Sequence, residues 1–307
     1  MRVAVTGASG FVGGHLVTAL AARGHEVLSY GRRPAADLRT PLPAYRSWDL
    51  ATAPLADPGV DAVVHCAACV DDWGSLATFR AVNVQGTHAM LTTFASARRI
   101  VLISTASVYS DDRPLVDVSE DAPTGGRGLA GYARTKAEAE RVLLAARPDA
   151  VILRPHIIYG PGDTTLLPRV LRSRRFGRLI VPGDGRNLLS TTHIEHLALA
   201  TVLALELPNA RGAYNVADAE PARAGELLGT ILERVGAPTQ LLFLPRLAAW
   251  QIAATLESVW PRRSNGRGPP FTRFAVRSLA DPHTLDITRA RCELGYAPRW
   301  TFRDGPL

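Results

Sequence analysis

Along the first half of the chain, short and almost wholly apolar runs alternate with longer stretches in which apolar residues recur every three or four positions. Arg2–Thr6, Glu26–Tyr30, Ala62–Cys66 ("AVVHC"), Arg99–Thr105 and residues 150–155 ("AVILRP") read as strands covered on both faces, with a further short strand near Tyr45–Trp48. Helical spacing covers Phe11–Ala22, Leu76–Ala97 and Tyr132–Ala146. Such alternation predicts an α/β fold, a doubly wound parallel sheet with helices on both faces, because parallel neighbours need a crossover between them. After Tyr159–Asp163 the regularity is lost. Pro and Gly gather at residues 181–187 and 261–271, and helices are expected at His193–Glu206, Gly225–Val235 and Leu247–Val259. The organisation expected is a nucleotide-binding domain over residues 1–160 with a return segment at 187–217. Residues 161–186 and 218–307 would then form a smaller C-terminal substrate-binding domain.

Composition narrows the function classes. A chain of 307 residues with 47% hydrophobic and 21% charged content can bury a large core and is not a disordered protein. The net charge of +7 comes from arginines scattered among acids, with no recognition motif beside them, so no nucleic-acid partner is expected and an anionic cofactor suits the charge better. No apolar run approaches the ~18 residues of a membrane span, and the start is too short and glycine-rich for a signal peptide. A cytoplasmic protein is the expectation. Cys66 and Cys69 form a C-x-x-C next to His65, but no further ligands follow at metal spacing, so no metal is expected and a buried structural role is favoured.

Between the first strand and the first helix lies "TGASGFVGG". Gly7, Gly10 and Gly13 let the backbone turn tightly and approach a pyrophosphate, which then meets the free N–H groups of the helix start around Ser9, Phe11 and Val12. At the end of the second strand, where NAD enzymes carry an acid for the ribose 2′-hydroxyl, this chain has Gly31 followed by Arg32 and Arg33. Guanidinium forks suit a 2′-phosphate, so NADP(H) is favoured, with NAD(H) the alternative.

One position stands out by composition. Of the 35 cationic side chains only Lys136 is a lysine, and Tyr132 lies one helical turn before it. A phenol with a pKa of about 10 is a poor proton shuttle at neutral pH unless a neighbouring cation lowers it. A compact ammonium can do that while its other donors hold ribose hydroxyls, a double task that a wide guanidinium does not fit.

With these motifs the chain resembles the extended short-chain dehydrogenases/reductases. T-G-x-x-G-x-x-G matches Thr6–Gly13, Y-x-x-x-K matches Tyr132–Lys136, and "HCAA", "NVQGT" and "LRPHIIYGPGD" match three further family segments. The resemblance implies a Rossmann-like sheet and a Ser or Thr completing the catalytic set, placed at Thr105 with Ser104 as runner-up. It also implies Asp49 and Leu50 near adenine, Ala67 and Ala68 along the cofactor, Ser107 and His156 on the substrate side, and a homodimer. Asn83 is read either as the holder of a relay water or as the residue that satisfies a helix bend.

Several reactions share this scaffold. The dehydratases carry acids in T-D-E-V-Y, where this chain has Ala106 and Ser107. Nucleotide-sugar epimerases hold a diphosphate with an Asn and an Arg, where this chain has Ile157 and Leu189, leaving Arg186 as partial compensation. "GDGRNLLSTTHIEHLALA" and the C-terminal tail resemble instead the 3β-hydroxysteroid dehydrogenase-like branch and its bacterial 2-alkyl-3-oxoalkanoate reductases. The implied substrate is an apolar ketone or secondary alcohol, beside an apolar surface over residues 242–260 with Trp250 and Trp260. An epimerase and a non-catalytic cofactor-binding scaffold are the rival readings. His193 and His196 are read as helix packing rather than a metal pair.

Overall fold

A computed structural model describes the chain apart from residues 39, 72, 110–113, 126–129, 261–267, 270 and 307. Most of the Pro- and Gly-rich stretch expected as a loop at 261–271 thus lies outside the described residues. Seven strands form one parallel sheet: β1 (Arg2–Thr6), β2 (Glu26–Gly31), β3 (Arg46–Ser47), β4 (Ala62–His65), β5 (Arg99–Ile103), β6 (Val151–Pro155) and β7 (Gly212–Val216). Their order is β3-β2-β1-β4-β5-β6-β7, the Rossmann-like arrangement. Chain direction across the sheet reverses between β1 and β4, which opens a crevice at their carboxyl ends.

Alternating side chains feed two cores, as a sheet covered on both faces requires. Val3, Val5, Val64, Val101 and Leu153 face helix α1 (Phe11–Ala22) and helix α4 (Ile194–Glu206). On the opposite face Ala4, Val63, Ile100, Leu102 and Ile152 meet Met90, Phe94 and Leu143. The last three come from helix α2 (residues 76–93) and the residue after it, and from helix α3 (Gly131–Ala146).

Helix α2 differs from the single helix expected over Leu76–Ala97. It runs as Leu76–Arg80, a π-helical turn at Ala81–Gln85, then Gly86–Thr93. Asn83, in the π turn, spends its amide on other elements: Oδ1 accepts from Cys69 N at 2.8 Å, and Nδ2 donates to Thr135 Oγ1 at 2.9 Å and to Cys69 O at 3.3 Å. A widened turn is where a helix can lend a side chain in this way.

Smaller sheets make up the remainder. Leu115–Val118 joins His283–Leu285, Leu188–Leu189 and Ala222–Arg223, while Thr191–His193 pairs with Ile157–Tyr159 and Gln240–Leu244 with Arg178–Pro182. The helix Arg246–Val259 packs on Arg273–Ala280 through Ala249, Ala253 and Val276, with Trp250 half-buried between Arg246 and Arg273. No described helix is long and apolar enough to cross a membrane.

Candidate active site

Glycine at the end of β1 is dictated by its neighbours. Gly7 has φ +73°, and a Cβ there would lie 2.7 Å from Ala67 N in the chain leaving β4. A Cβ on Gly13 would lie 2.2 Å from Gly7 O, so α1 can rest on the loop only with glycine at that point. Within the loop Gly10 N donates to Gly7 O at 2.9 Å, and Ala8 N to Tyr30 O at 2.9 Å. The first-turn N–H groups of Phe11, Val12 and Gly13 have no intrahelical acceptor and converge with the helix dipole on one spot. Such a cradle fits a pyrophosphate.

Gly31 closes β2 against a wall. A Cβ there would lie 2.5 Å from Ser9 Oγ and 2.8 Å from Tyr45 Oη, so a larger residue would have to displace those two side chains. The next two residues, Arg32 and Arg33, are exposed, while Ser47 Oγ donates to Arg32 O at 3.3 Å and Tyr45 Oη to Arg33 O at 2.7 Å. Their backbone is clamped and their guanidinium groups are free to meet a ligand. Asp49 uses its carboxylate on Ala51 N at 3.0 Å. Leu50 is buried in the core beside Trp48, and Ala68 is half-buried after Ala67.

Beneath the loop, His65 is wholly enclosed. Its Nδ1 lies 2.7 Å from Thr6 Oγ1 and its Nε2 3.4 Å from Thr87 Oγ1, and burial, with the Lys136 charge adding, pushes its pKa down to about 3. It is a neutral fastener between β1, β4 and α2. Burial pushes the Cys66 thiol up to about 12 and also raises Cys69. Both stay protonated, unlike a redox or metal-binding thiolate. Among the described residues no three His, Cys, Asp or Glu side chains group as metal ligands.

Helix α3 begins where Gly131 must be small, since a Cβ would lie 2.8 Å from the Phe79 ring. Tyr132 and Lys136 then project one turn apart from its first half. The ammonium of Lys136, 2% exposed, donates to Ile103 O at 2.8 Å at the end of β5. Burial lowers it from the ordinary lysine range to about 8, while the charge of Glu140 pulls it back up. Tyr132 does not show the lowering that a neighbouring cation was expected to produce. Burial is the largest influence and pushes the phenol up to about 12, opposed by its hydrogen bond with Thr105. The cation is turned to Ile103 O instead.

Thr105 and Ser104, adjacent at the end of β5, are separated by their partners. Ser104 Oγ donates to the buried carboxylate of Glu140. Thr105 Oγ1 accepts from Ser107 N at 3.2 Å, lies 3.2 Å from Ser107 Oγ and reaches the Tyr132 phenol. His156, just beyond β6, is buried with Nδ1 2.8 Å from Ser190 O, and burial lowers it to about 4. Its ring packs against that of His283, tilted by 41° with centroids 4.1 Å apart. His193 and His196 have partners of their own. His193 Nε2 lies 3.0 Å from Pro306 O; His196 Nδ1 lies 2.7 Å from Asp218 Oδ1, and His196 Nε2 accepts from Arg299 N at 2.9 Å.

Sequence reasoning missed the support under the site. Arg154 in β6 forms a two-pronged ion pair with Glu140, at 2.7 and 3.1 Å, with both side chains almost fully buried. Arg154 also donates to Tyr109 Oη at 3.1 Å, and that hydroxyl donates to Asn215 Oδ1 at 2.6 Å. Burial alone would lower Arg154, yet the Glu140 contacts outweigh it and raise its pKa. One signal was available: Glu140 lies four residues after Lys136 on the same helical face.

Lys136 sets a testable pH limb. The ammonium is charged below about 8 and neutral above it. If it helps hold a ribose, dinucleotide affinity read by fluorescence should fall as pH rises from 7 through 8 to 9.5. In Lys136→Arg affinity should be weaker and flat with pH, because a guanidinium stays charged and brings five donors into a pocket that satisfies one of the lysine's with a backbone carbonyl.

The chain is similar to known proteins over almost its whole length. The pattern of the NAD dependent epimerase/dehydratase family matches residues 3–217. The chain is 37% identical over 323 residues to the 2-alkyl-3-oxoalkanoate reductase of Stenotrophomonas maltophilia, covering 99% of this chain and 97% of that protein. It is 34% identical over 322 residues to the 4-hydroxy-2-methyl-3-oxo-4-farnesyl-3,4-dihydroquinoline-1-oxide ketoreductase of Stigmatella aurantiaca, covering 99% and 94%. Among solved structures, MoeE5 in complex with UDP-glucose and NAD superposes with a TM-score of 0.76 at 25% identity, over 99% of this chain and 96% of MoeE5.

Proposed function

The chain belongs to the NAD dependent epimerase/dehydratase family, and from that premise we propose that it is an NADP(H)-dependent ketoreductase or secondary alcohol dehydrogenase acting on an apolar small molecule. The observation that carries the reading is the division of labour at the end of β5. Ser104 is committed to Glu140, which leaves the hydroxyl of Thr105, with the Tyr132 phenol beside it, able to receive a carbonyl oxygen. A phenol pushed up to about 12 is protonated throughout the neutral range, so Tyr132 is set to act as the acid that donates a proton to the reduced carbonyl oxygen. Lys136 holds its place through Ile103 O and offers its remaining N–H donors to the ribose. When bound, the dinucleotide supplies or accepts a hydride at its nicotinamide ring. Gly7, Gly10 and Gly13 with the N–H groups of Phe11 and Val12 would hold its pyrophosphate, and Arg32 and Arg33 its 2′-phosphate.

The reductase names of the two relatives support this choice of chemistry. A sugar epimerase is the second reading, since MoeE5 has the same fold and binds UDP-glucose. Against it, Leu189 is fully buried beside Tyr159 and Ala222, with Ile157 packed on that cluster. Neither could anchor a diphosphate, which would lose charge-assisted contacts of about 1.5–3 kcal/mol each.

Mixing the protein with NADPH and a panel of β-keto esters, steroids and aryl ketones should give loss of absorbance at the reduced-nicotinamide band. Turnover of a UDP-sugar without net cofactor oxidation would instead assign the epimerase. In the same assay, Arg32→Ser with Arg33→Ser should weaken NADPH by roughly 10- to 100-fold, the loss of about one charge-assisted contact, and leave NADH almost unchanged. Equal weakening of both cofactors would remove the case for NADP(H).

A further inference from the structure

The turn joining helix Leu166–Ser173 to strand Arg178–Pro182 carries a feature that the reaction does not use. Arg175 and Arg178 exchange backbone hydrogen bonds of 2.9 Å in both directions, closing a two-residue loop made of Phe176 and Gly177. Both loop residues have positive φ, +50° for Phe176 and +72° for Gly177. Asn, Asp or Gly suit the first of these positions, and a bulky aromatic there is strained. Phe176 is also fully exposed, at 102% of its reference area. Strain and exposure both count against this side chain within the folded molecule, and observed strain of this kind is a pointer to function.

Its surroundings indicate what covers it. Arg172, Arg175 and Arg178 flank the loop and are exposed, and among the described residues none of them is in an ion pair. Arg175 Nη1 donates only to the carbonyls of Arg172 and Arg174, at 2.6 and 2.8 Å. Further along the strand, Ile180 and its register partner Leu242 are exposed as well. An aromatic at a protruding tip, ringed by uncompensated guanidinium groups, is the arrangement that suits a bilayer interface: the ring enters the acyl boundary and the cations meet lipid phosphates. A folded partner protein would need a matching concave surface around so narrow a turn, whereas lipid conforms to it.

We propose that the Arg175–Arg178 turn is a membrane-surface contact, in which Phe176 inserts into an anionic lipid bilayer while Arg172, Arg175 and Arg178 engage its phosphates. The contact is independent of the substrate reading above and is tested without an activity assay. The full chain is sedimented with vesicles of phosphatidylglycerol and phosphatidylcholine, and with vesicles of phosphatidylcholine alone. The parent should bind the anionic vesicles, and binding should weaken with salt. Phe176→Asn, which relieves the turn and should keep or raise the melting temperature, should bind at least about tenfold more weakly. Arg172→Gln with Arg178→Gln should weaken binding and its salt dependence together. Absence of parent binding, equal binding to neutral vesicles, or Phe176→Asn binding like the parent overturns the proposal. So does sedimentation equilibrium without lipid if Phe176→Asn abolishes self-association, since the turn would then belong to a second copy of the chain.

Discussion

Tyr132→Phe is expected to lower kcat by ~10²- to 10⁴-fold, the usual worth of a positioned proton donor, while dinucleotide affinity changes little. The substitution removes one oxygen from a partly buried ring. It leaves α3 intact, since Tyr132 is in its first turn and the helix is held through Ala133, Ala137, Ala139 and Leu143. Thr105 keeps its hydrogen bonds with Ser107, so the end of β5 should not shift. Stopped-flow binding of NADPH and steady-state ketone reduction separate the two quantities. Loss of both together would mean that the phenol supports the cofactor site, and retained turnover would remove Tyr132 from the chemistry. An unaltered protein that binds NADPH and turns over nothing, with Tyr132→Phe indistinguishable from it, is the result expected of a cofactor-binding scaffold.

The largest loss of stability is expected from Glu140→Ala. Deleting one partner of a buried ion pair leaves the other charge uncompensated, at a cost of about 3–5 kcal/mol. Here Arg154 would be left with Tyr109 and the carbonyl of Glu120, and Ser104 would lose its acceptor. Urea denaturation measures the loss. A change below ~1 kcal/mol would show that water or a rearranged side chain replaces the carboxylate. Replacing both partners with apolar residues, Glu140→Leu with Arg154→Met, should recover part of the deficit, because no buried charge then remains. A second readout ties this pair to the site. Glu140 raises Lys136 toward its ordinary range, so in Glu140→Gln the lysine should lose its proton below pH 8, and the alkaline fall in dinucleotide affinity should begin earlier.

Local signals carried much of the fold. Unbroken apolar runs marked β1, β2, β4, β5 and β6, whose side chains are buried on both faces, and period-3.6 patterns marked helices α1 and α3. Boundaries drifted where local pattern and tertiary contact disagree. The expected strand Tyr45–Trp48 shrinks to Arg46–Ser47 at the sheet edge, with Trp48 turned into the core against Tyr30 and Phe94. The expected helix to Ala97 stops at Thr93, and its π turn arises from hydrogen bonds that Asn83 makes to Cys69 and Thr135, residues 14 and 52 positions away.

For the candidate site the division is similar. Gly7, Gly10 and Gly13, the Gly31-Arg32-Arg33 ending and the Tyr132-Lys136 spacing were readable in the sequence because each is a short motif of fixed spacing, although the atoms that crowd Gly7 and Gly31 come from Ala67, Ser9 and Tyr45. What tertiary structure alone decided was partnership. It gave Ser104 to Glu140 and left Thr105 to Tyr132, turned Lys136 to Ile103 O, packed His156 against His283 and joined Arg154 to Glu140 and, through Tyr109, to Asn215. These contacts link segments from both halves of the chain, and burial there shifts the protonation equilibria of Tyr132, Lys136, His156 and His283 by removing water. Neither effect leaves a periodic trace in the sequence, because a buried charge is placed by whatever the fold brings against it.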